Sequence, residues 1–285
     1  MVEATHYLSA HLVTRARHLH GEAAAMCHKH GTLAPEDVHR LRVITKELRA
    51  LWQLLRPLQI AQCEGADHNL ATTAALLASA RDGAVIADTL DYLSRQSPRK
   101  SERQVFRDAY QRLFADLELA DVVVEPGLLE GLADDEKRWP SIQLDLDDRE
   151  LIDRGLRRSW RKIRNRLLEA MDSDALPRWH ALRKWIKYLG FELALLEQAG
   201  LRSPLSLSDT RQLGRDLGHL HDIHILIGHV DEHRHAFPGD DDAAFCLHLL
   251  RNHEARMLDK CRSHATHLTR IKPGFLRKAL LQQLP

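Results

Sequence analysis

The stretch Val38-His39-Arg40-Leu41-Arg42-Val43-Ile44-Thr45-Lys46-Glu47-Leu48-Arg49 decides how this chain is read. On a helix at about 100° per residue, with His39 at zero, Leu41, Ile44, Leu48, Leu51, Trp52 and Leu55 fall between about 120° and 220°. His39, Arg42, Lys46 and Arg49 fall between about 280° and 360°, with no acid in that sector. The helix therefore has a core face and, across from it, a basic face. Because solvated faces usually mix both signs of charge, four basic groups without an acid suggest an anion site.

The pattern returns 141 residues later. Trp179-His180-Ala181-Leu182-Arg183, then Lys187-Tyr188-Leu189, repeats Val38-His39-Arg40-Leu41-Arg42, then Lys46-Glu47-Leu48. Here Leu182, Trp185, Leu189, Leu193 and Leu196 make the apolar stripe, and His180, Arg183 and Lys187 the basic one. A further match pairs Leu77–Ile86 with Leu217–Leu226 at an offset of 140. Matching phase in both copies implies an internal duplication of about four helices per unit. The expected fold is all-α, two pseudo-symmetric four-helix bundles: residues 1–120 as the first helical half, 121–150 as an acidic connection, and 151–285 as the second half.

Composition agrees. The 285 residues hold only 14 Gly and 10 Pro, aromatics make up 5 %, and Leu, Ala, Arg, Glu and Asp recur throughout, as in helical proteins. The one β-like run, Val122-Val123-Val124, is too short for a sheet. Helices are expected over 3–30, 35–56, 69–80, 84–95, 99–120, 126–136, 154–166, 175–199, 207–217, 221–235, 240–268 and from about 274. No segment is long and apolar enough to span a membrane, and Met1 to His6 lack the pattern of a signal peptide. Cys27, Cys63, Cys246 and Cys261 are widely spaced without a CxxC pair, so a reducing cytoplasmic setting is expected.

Net charge is only +1, with 41 basic and 40 acidic residues, so anion binding requires the charges to be sorted in space. They are sorted. Residues 121–153 carry eleven acids against three bases. Immediately after, Arg154, Arg157, Arg158, Arg161, Lys162, Arg164 and Arg166 follow without an acid. Arg154, Arg157, Arg158, Arg161 and Arg164 share about 120° of arc, opposite Leu156, Trp160, Ile163 and Leu167.

These features together resemble the CHAD family, the conserved-histidine α-helical domains. The resemblance is carried by His39, Arg42, Lys46 and Arg49; by His180, Arg183 and Lys187; by the Arg81-Asp82 bend with its counterpart His221-Asp222; and by the arginine helix. It covers essentially the whole chain. Two departures thin the charge of the second half: Gly190 stands opposite Arg49, and His221 replaces the arginine expected before Asp222. The resemblance implies a basic groove that binds inorganic polyphosphate without catalysis, and association with polyphosphate granules and their proteins. The polyphosphate-binding residues expected are thus His39, Arg42, Lys46, Arg49, Arg81, Arg154, Arg157, Arg158, Arg161, Arg164, His180, Arg183, Lys187 and His221.

Physical chemistry points the same way. Polyphosphate carries about one charge per phosphate and no bases to read, so Arg forks and Lys point charges along one groove suffice to hold it. Asp82 and Asp222 are expected to be structural, and Trp52, Trp160, Trp179 and Trp185 to pack rather than to stack on bases. Nucleic-acid backbone binding is the alternative, since charge alone does not separate the two polyanions. Divalent-metal binding is a third reading. His229/His233 and His264/His267 have helical spacing and His219/His221/His224 cluster, but no HExxH and no thiolate accompany them. No cofactor is expected, and no P-loop, GxSxG or dinucleotide turn suggests an enzyme.

Overall fold

A computed structural model describes residues 7–27, 32–77, 82–114, 122–142 and 146–284. The fold is all-α. Its helices are α1 (Tyr7–Cys27), α2 (Pro35–Leu55), α3 (Ala66–Ala75), α4 (Asp82–Gln96), α5 (Lys100–Phe114), α6 (Pro126–Glu136), α7 (Asp148–Glu150), α8 (Arg157–Met171), α9 (Leu176–Gln198), α10 (Leu207–Glu232), α11 (Asp240–Thr269) and α12 (Pro273–Leu281). The valine run does form a strand, paired antiparallel with Thr32–Leu33 in a two-residue ladder, Thr32 opposite Val123 and Leu33 opposite Val122.

The chain divides into two compact units that mix segments from both ends of the sequence. One comprises Met1–Ser79, Ala120–Gly214 and Ala265–Pro285; the other comprises Ala80–Leu119 and Arg215–His264. In the first unit α2 packs on α1, α3 and α9, α8 packs on α9, and α12 packs on α8. Its core is the set of stripes read from the sequence: Leu41, Ile44, Leu48 and Leu51 of α2, Trp160, Ile163 and Leu167 of α8, and Leu182, Leu189 and Leu193 of α9, all buried. Each such Leu or Ile withdrawn from water stabilises the fold by roughly 2 kcal/mol before chain entropy is counted. The second unit has its own core, from Leu90, Leu93 and Phe106 to Leu226, Val230 and Leu250.

Buried carboxylates organise the first unit. Asp148, only 1 % exposed, accepts from the backbone N–H groups of Leu8 and Ser9 at 2.9 Å each. It thereby satisfies donors in the first turn of α1 that the helix cannot pair itself. Asp135 on α6 accepts from the indole nitrogens of Trp52 (2.8 Å) and Trp139 (3.0 Å) and lies 3.0 Å from His20 Nε2. Two glycines permit close approach. A Cβ on Gly155 would stand 2.6 Å from the carbonyl oxygen of Leu54, and one on Gly131 would meet the Thr73 hydroxyl.

The helix boundaries follow the sequence except at particular points. The reading of 207–217 and 221–235 as separate helices is corrected: α10 runs unbroken to Glu232, because a glycine at position 218 weakens a helix by only about 1 kcal/mol when both sides pack. Asp222 therefore lies mid-helix, not at a junction. α3 ends at Ala75 rather than Ala80, and the parts of the expected helices at 3–6, 28–30, 78–80 and 115–120 fall outside the described residues.

Candidate anion-binding face

Helix α2 opens with Pro35 in its first turn and Glu36 and Asp37 just behind it, the order that suits the positive end of a helix dipole. Its basic face is partly roofed by α3. Arg42 donates through Nη1 to the carbonyl of Leu77 at 2.7 Å, and Arg49 donates through Nε to Asp67 at 2.7 Å. The sector that holds no acid of its own thus receives one from a neighbouring helix. His39 is exposed and Lys46 half-buried. On the other flank Arg15 pairs with Glu47 and Arg40 with Glu22, which ties α1 to α2 and leaves those cations out of the face.

The arginine helix begins in a π-turn, Leu151–Leu156, and becomes α-helical from Arg157. The acids upstream are used at once. Arg154 pairs with Glu150, Arg157 donates to the carbonyl of Asp153, and Arg277 of α12 pairs with the Asp153 carboxylate. Further along, Arg164 donates to the carbonyl of Thr269 and Trp160 to that of Ile271, so this side of α8 holds down the segment entering α12. Arg158 and Arg161 are exposed, and neither forms an ion pair with a described residue.

Helix α9 brings His180, Arg183 and Lys187, all half-buried, into the same unit as α2 and α8. Next to them sits a group that the sequence reading passed over as a site. The Lys162 ammonium of α8 stands 3.9 Å from the ring centre of Trp185 on α9. Arg166 lies 5.5 Å and Lys184 5.6 Å from the same ring, and Lys184 is 5.3 Å from Tyr188. Burial, then repulsion from Arg166, Arg56, Lys184 and Arg158, lowers the pKa of Lys162. Burial and Arg49, against the pull of Asp67, lower that of Lys184. A signal was present in the sequence. Arg158, Lys162 and Arg166 recur at i, i+4 and i+8, a stripe beside the sector drawn from Arg154.

Beneath this seam, Glu192 is buried with its two oxygens 2.7 and 2.9 Å from the Ser159 hydroxyl. Burial pushes its carboxyl up to about 8. The tryptophans named from the sequence, Trp52, Trp160, Trp179 and Trp185, are all buried and pack as expected.

Arg81 lies outside the described residues, and His221 stands on α10 in the second unit. The structure brings together His39, Arg42, Lys46, Arg49, Arg154, Arg157, Arg158, Arg161, Arg164, His180, Arg183 and Lys187 as members of one unit.

The histidine pairs do not converge on a common point. His229 and His233 stack face to face at 4.1 Å, with His233 Nδ1 2.8 Å from the carbonyl of His229. His264 Nδ1 contacts Asp216, which also takes Lys260, and His224 contacts Glu254. Among the described residues no group of three or more His, Cys, Asp or Glu could hold a metal ion. All four cysteines are free thiols, and no described helix is long and apolar enough to cross a membrane.

Comparison with curated proteins and with solved structures gives no match. The family model described as "CHAD domain" matches residues 12–231. That span takes in both His-x-x-Arg-x-x-x-Lys helices and the whole arginine helix, and the chain belongs to the CHAD domain family.

Proposed function

We propose that the protein binds inorganic polyphosphate, without catalysis, along the basic faces of α2, α8 and α9. The observation that carries this reading is the packing of these three helices in one unit, with α9 against both α2 and α8. Charges that are dispersed along the chain thus belong to one compact unit, while net charge stays near zero. Affinity would come from arginine forks and lysine point charges on phosphate oxygens and from released counterions. The acids beside the face are tied to arginines, Asp67 to Arg49 and Glu150 to Arg154, which favours binding over turnover.

Nucleic acid offers the same backbone charge, but its tight single-stranded binders add aromatic platforms for the bases. The tryptophans in this unit are in the core. Association with polyphosphate granules in a cytoplasmic setting would follow from polyphosphate binding.

The test replaces Arg42, Lys46, Arg183 and Lys187 together with glutamine. Medium-chain polyphosphate should then bind at least roughly a hundredfold more weakly, since each lost phosphate contact also flattens the salt dependence by about one. Unchanged affinity in a variant of native helix content would place binding elsewhere.

A further inference from the structure

We infer that Lys162, Arg166 and Lys184 form a distinct phosphate subsite on the seam between α8 and α9, gathered around the ring of Trp185. This inference rests on the polyphosphate reading and adds to it the residues on which one stretch of the polyanion is seated. Three cations from two helices converge on one indole, at 3.9, 5.5 and 5.6 Å. A single cation over an aromatic face is stabilising; three of like charge around one ring also repel one another, which works against that gain.

The surrounding charges do not relieve the crowding. Arg56 and Arg158 add to the field at Lys162, and Arg49 to that at Lys184. Asp67, the acid that Lys184 feels, is joined to Arg49. Burial first, and the neighbouring cations after it, depress the basicity of both lysines. A phosphate group with oxygens between Lys162 and Lys184 would neutralise the excess positive charge. Trp185, 9 % exposed and covered by Lys162, gives the cluster a rigid, apolar floor and offers no face to a nucleobase. The ligand class is therefore a condensed phosphate rather than a nucleotide.

The lysines can be observed directly. Reductive ¹³C-methylation retains their charge, and K162R and K184R variants assign their resonances. Inorganic triphosphate should move the Lys162 and Lys184 signals and raise their apparent pKa by about one, with Lys137 and Lys278 unmoved. The K162Q/K184Q double variant should bind long polyphosphate about tenfold more weakly, with a salt slope shallower by about two. If triphosphate and long polyphosphate bind while these two resonances stay fixed and the double variant retains its affinity, the subsite is refuted and the broader reading survives. If the native protein binds neither, the broader reading fails as well.

Discussion

Arg49 on α2 and Asp67 on α3 are joined at 2.7 Å from Nε to Oδ1, so the first basic helix carries its own counterion on a neighbouring element. The pair is partly exposed, 16 % for Arg49 and 30 % for Asp67, and contributes on the order of 1 kcal/mol or less to stability. Its larger effect is on the field. Replacing Asp67 with asparagine keeps a side-chain acceptor for Arg49 and removes one negative charge from the face. D67N should bind polyphosphate severalfold more tightly, with a modest loss of thermal stability. Weaker binding by D67N would mean that the carboxylate orients Arg49 for the ligand rather than competing with it.

The neutral form of Glu192 makes stability depend on pH in a defined direction. Its carboxyl titrates at about 8 in the folded protein, raised by burial, against an ordinary value of 4.5. Below about pH 4.5 both states hold the proton. Between there and pH 8 only the unfolded state releases it, so stability falls as pH rises, by up to about 1.4 kcal/mol per pH unit. E192Q removes the ionisable group while keeping an acceptor for Ser159. Its melting temperature should exceed that of the native protein at pH 8, with the difference narrowing towards pH 5. A constant difference across this range would show that Glu192 is ionised in the fold.

Asp135 is the shared acceptor of two buried indoles and the neighbour of a buried histidine. Alanine there would strand both indole N–H groups where water does not reach. D135A should unfold at lower urea, with a loss of about 3 kcal/mol or more, and D135N with a smaller one. Equal losses in both variants would indicate that packing volume, not hydrogen bonding, sets the penalty.

Gly155 permits the π-turn to pass against the end of α2. An added Cβ would meet the Leu54 carbonyl at 2.6 Å, and a backbone atom yields less readily than a side chain. G155A should lose about 2 kcal/mol of stability and shift the π-turn and the start of α8, where Arg154 and Arg157 are anchored. Polyphosphate affinity should fall with it. A variant as stable as the native protein would mean that the π-turn relaxes freely.

Apolar periodicity was enough to place α2, α8 and α9 and the residues of their cores, because every stripe drawn at 100° per residue is buried. The basic faces could be read as faces but not as sites. Whether Arg49 or Arg164 presents charge to solvent depends on Asp67 and on the Thr269 carbonyl, 18 and 105 residues away along the chain. The Lys162, Arg166 and Lys184 cluster is hidden for the same reason. Two of its members belong to α8 and one to α9, and projection of a single helix does not show what its neighbour brings. The expected division between 217 and 221 is absent because a glycine inside a long packed helix costs little.

The central claim is that this gathered charge recognises condensed phosphate as such. The most direct measurement is a competition of medium-chain polyphosphate against single-stranded RNA of equal charge, followed by calorimetry from about 50 to 200 mM salt. Polyphosphate should bind about tenfold or more tightly than RNA throughout, a difference of about 1.4 kcal/mol, while both affinities fall along parallel salt slopes. Equal affinities across the series would contradict the account and leave a basic surface without preference between polyanions.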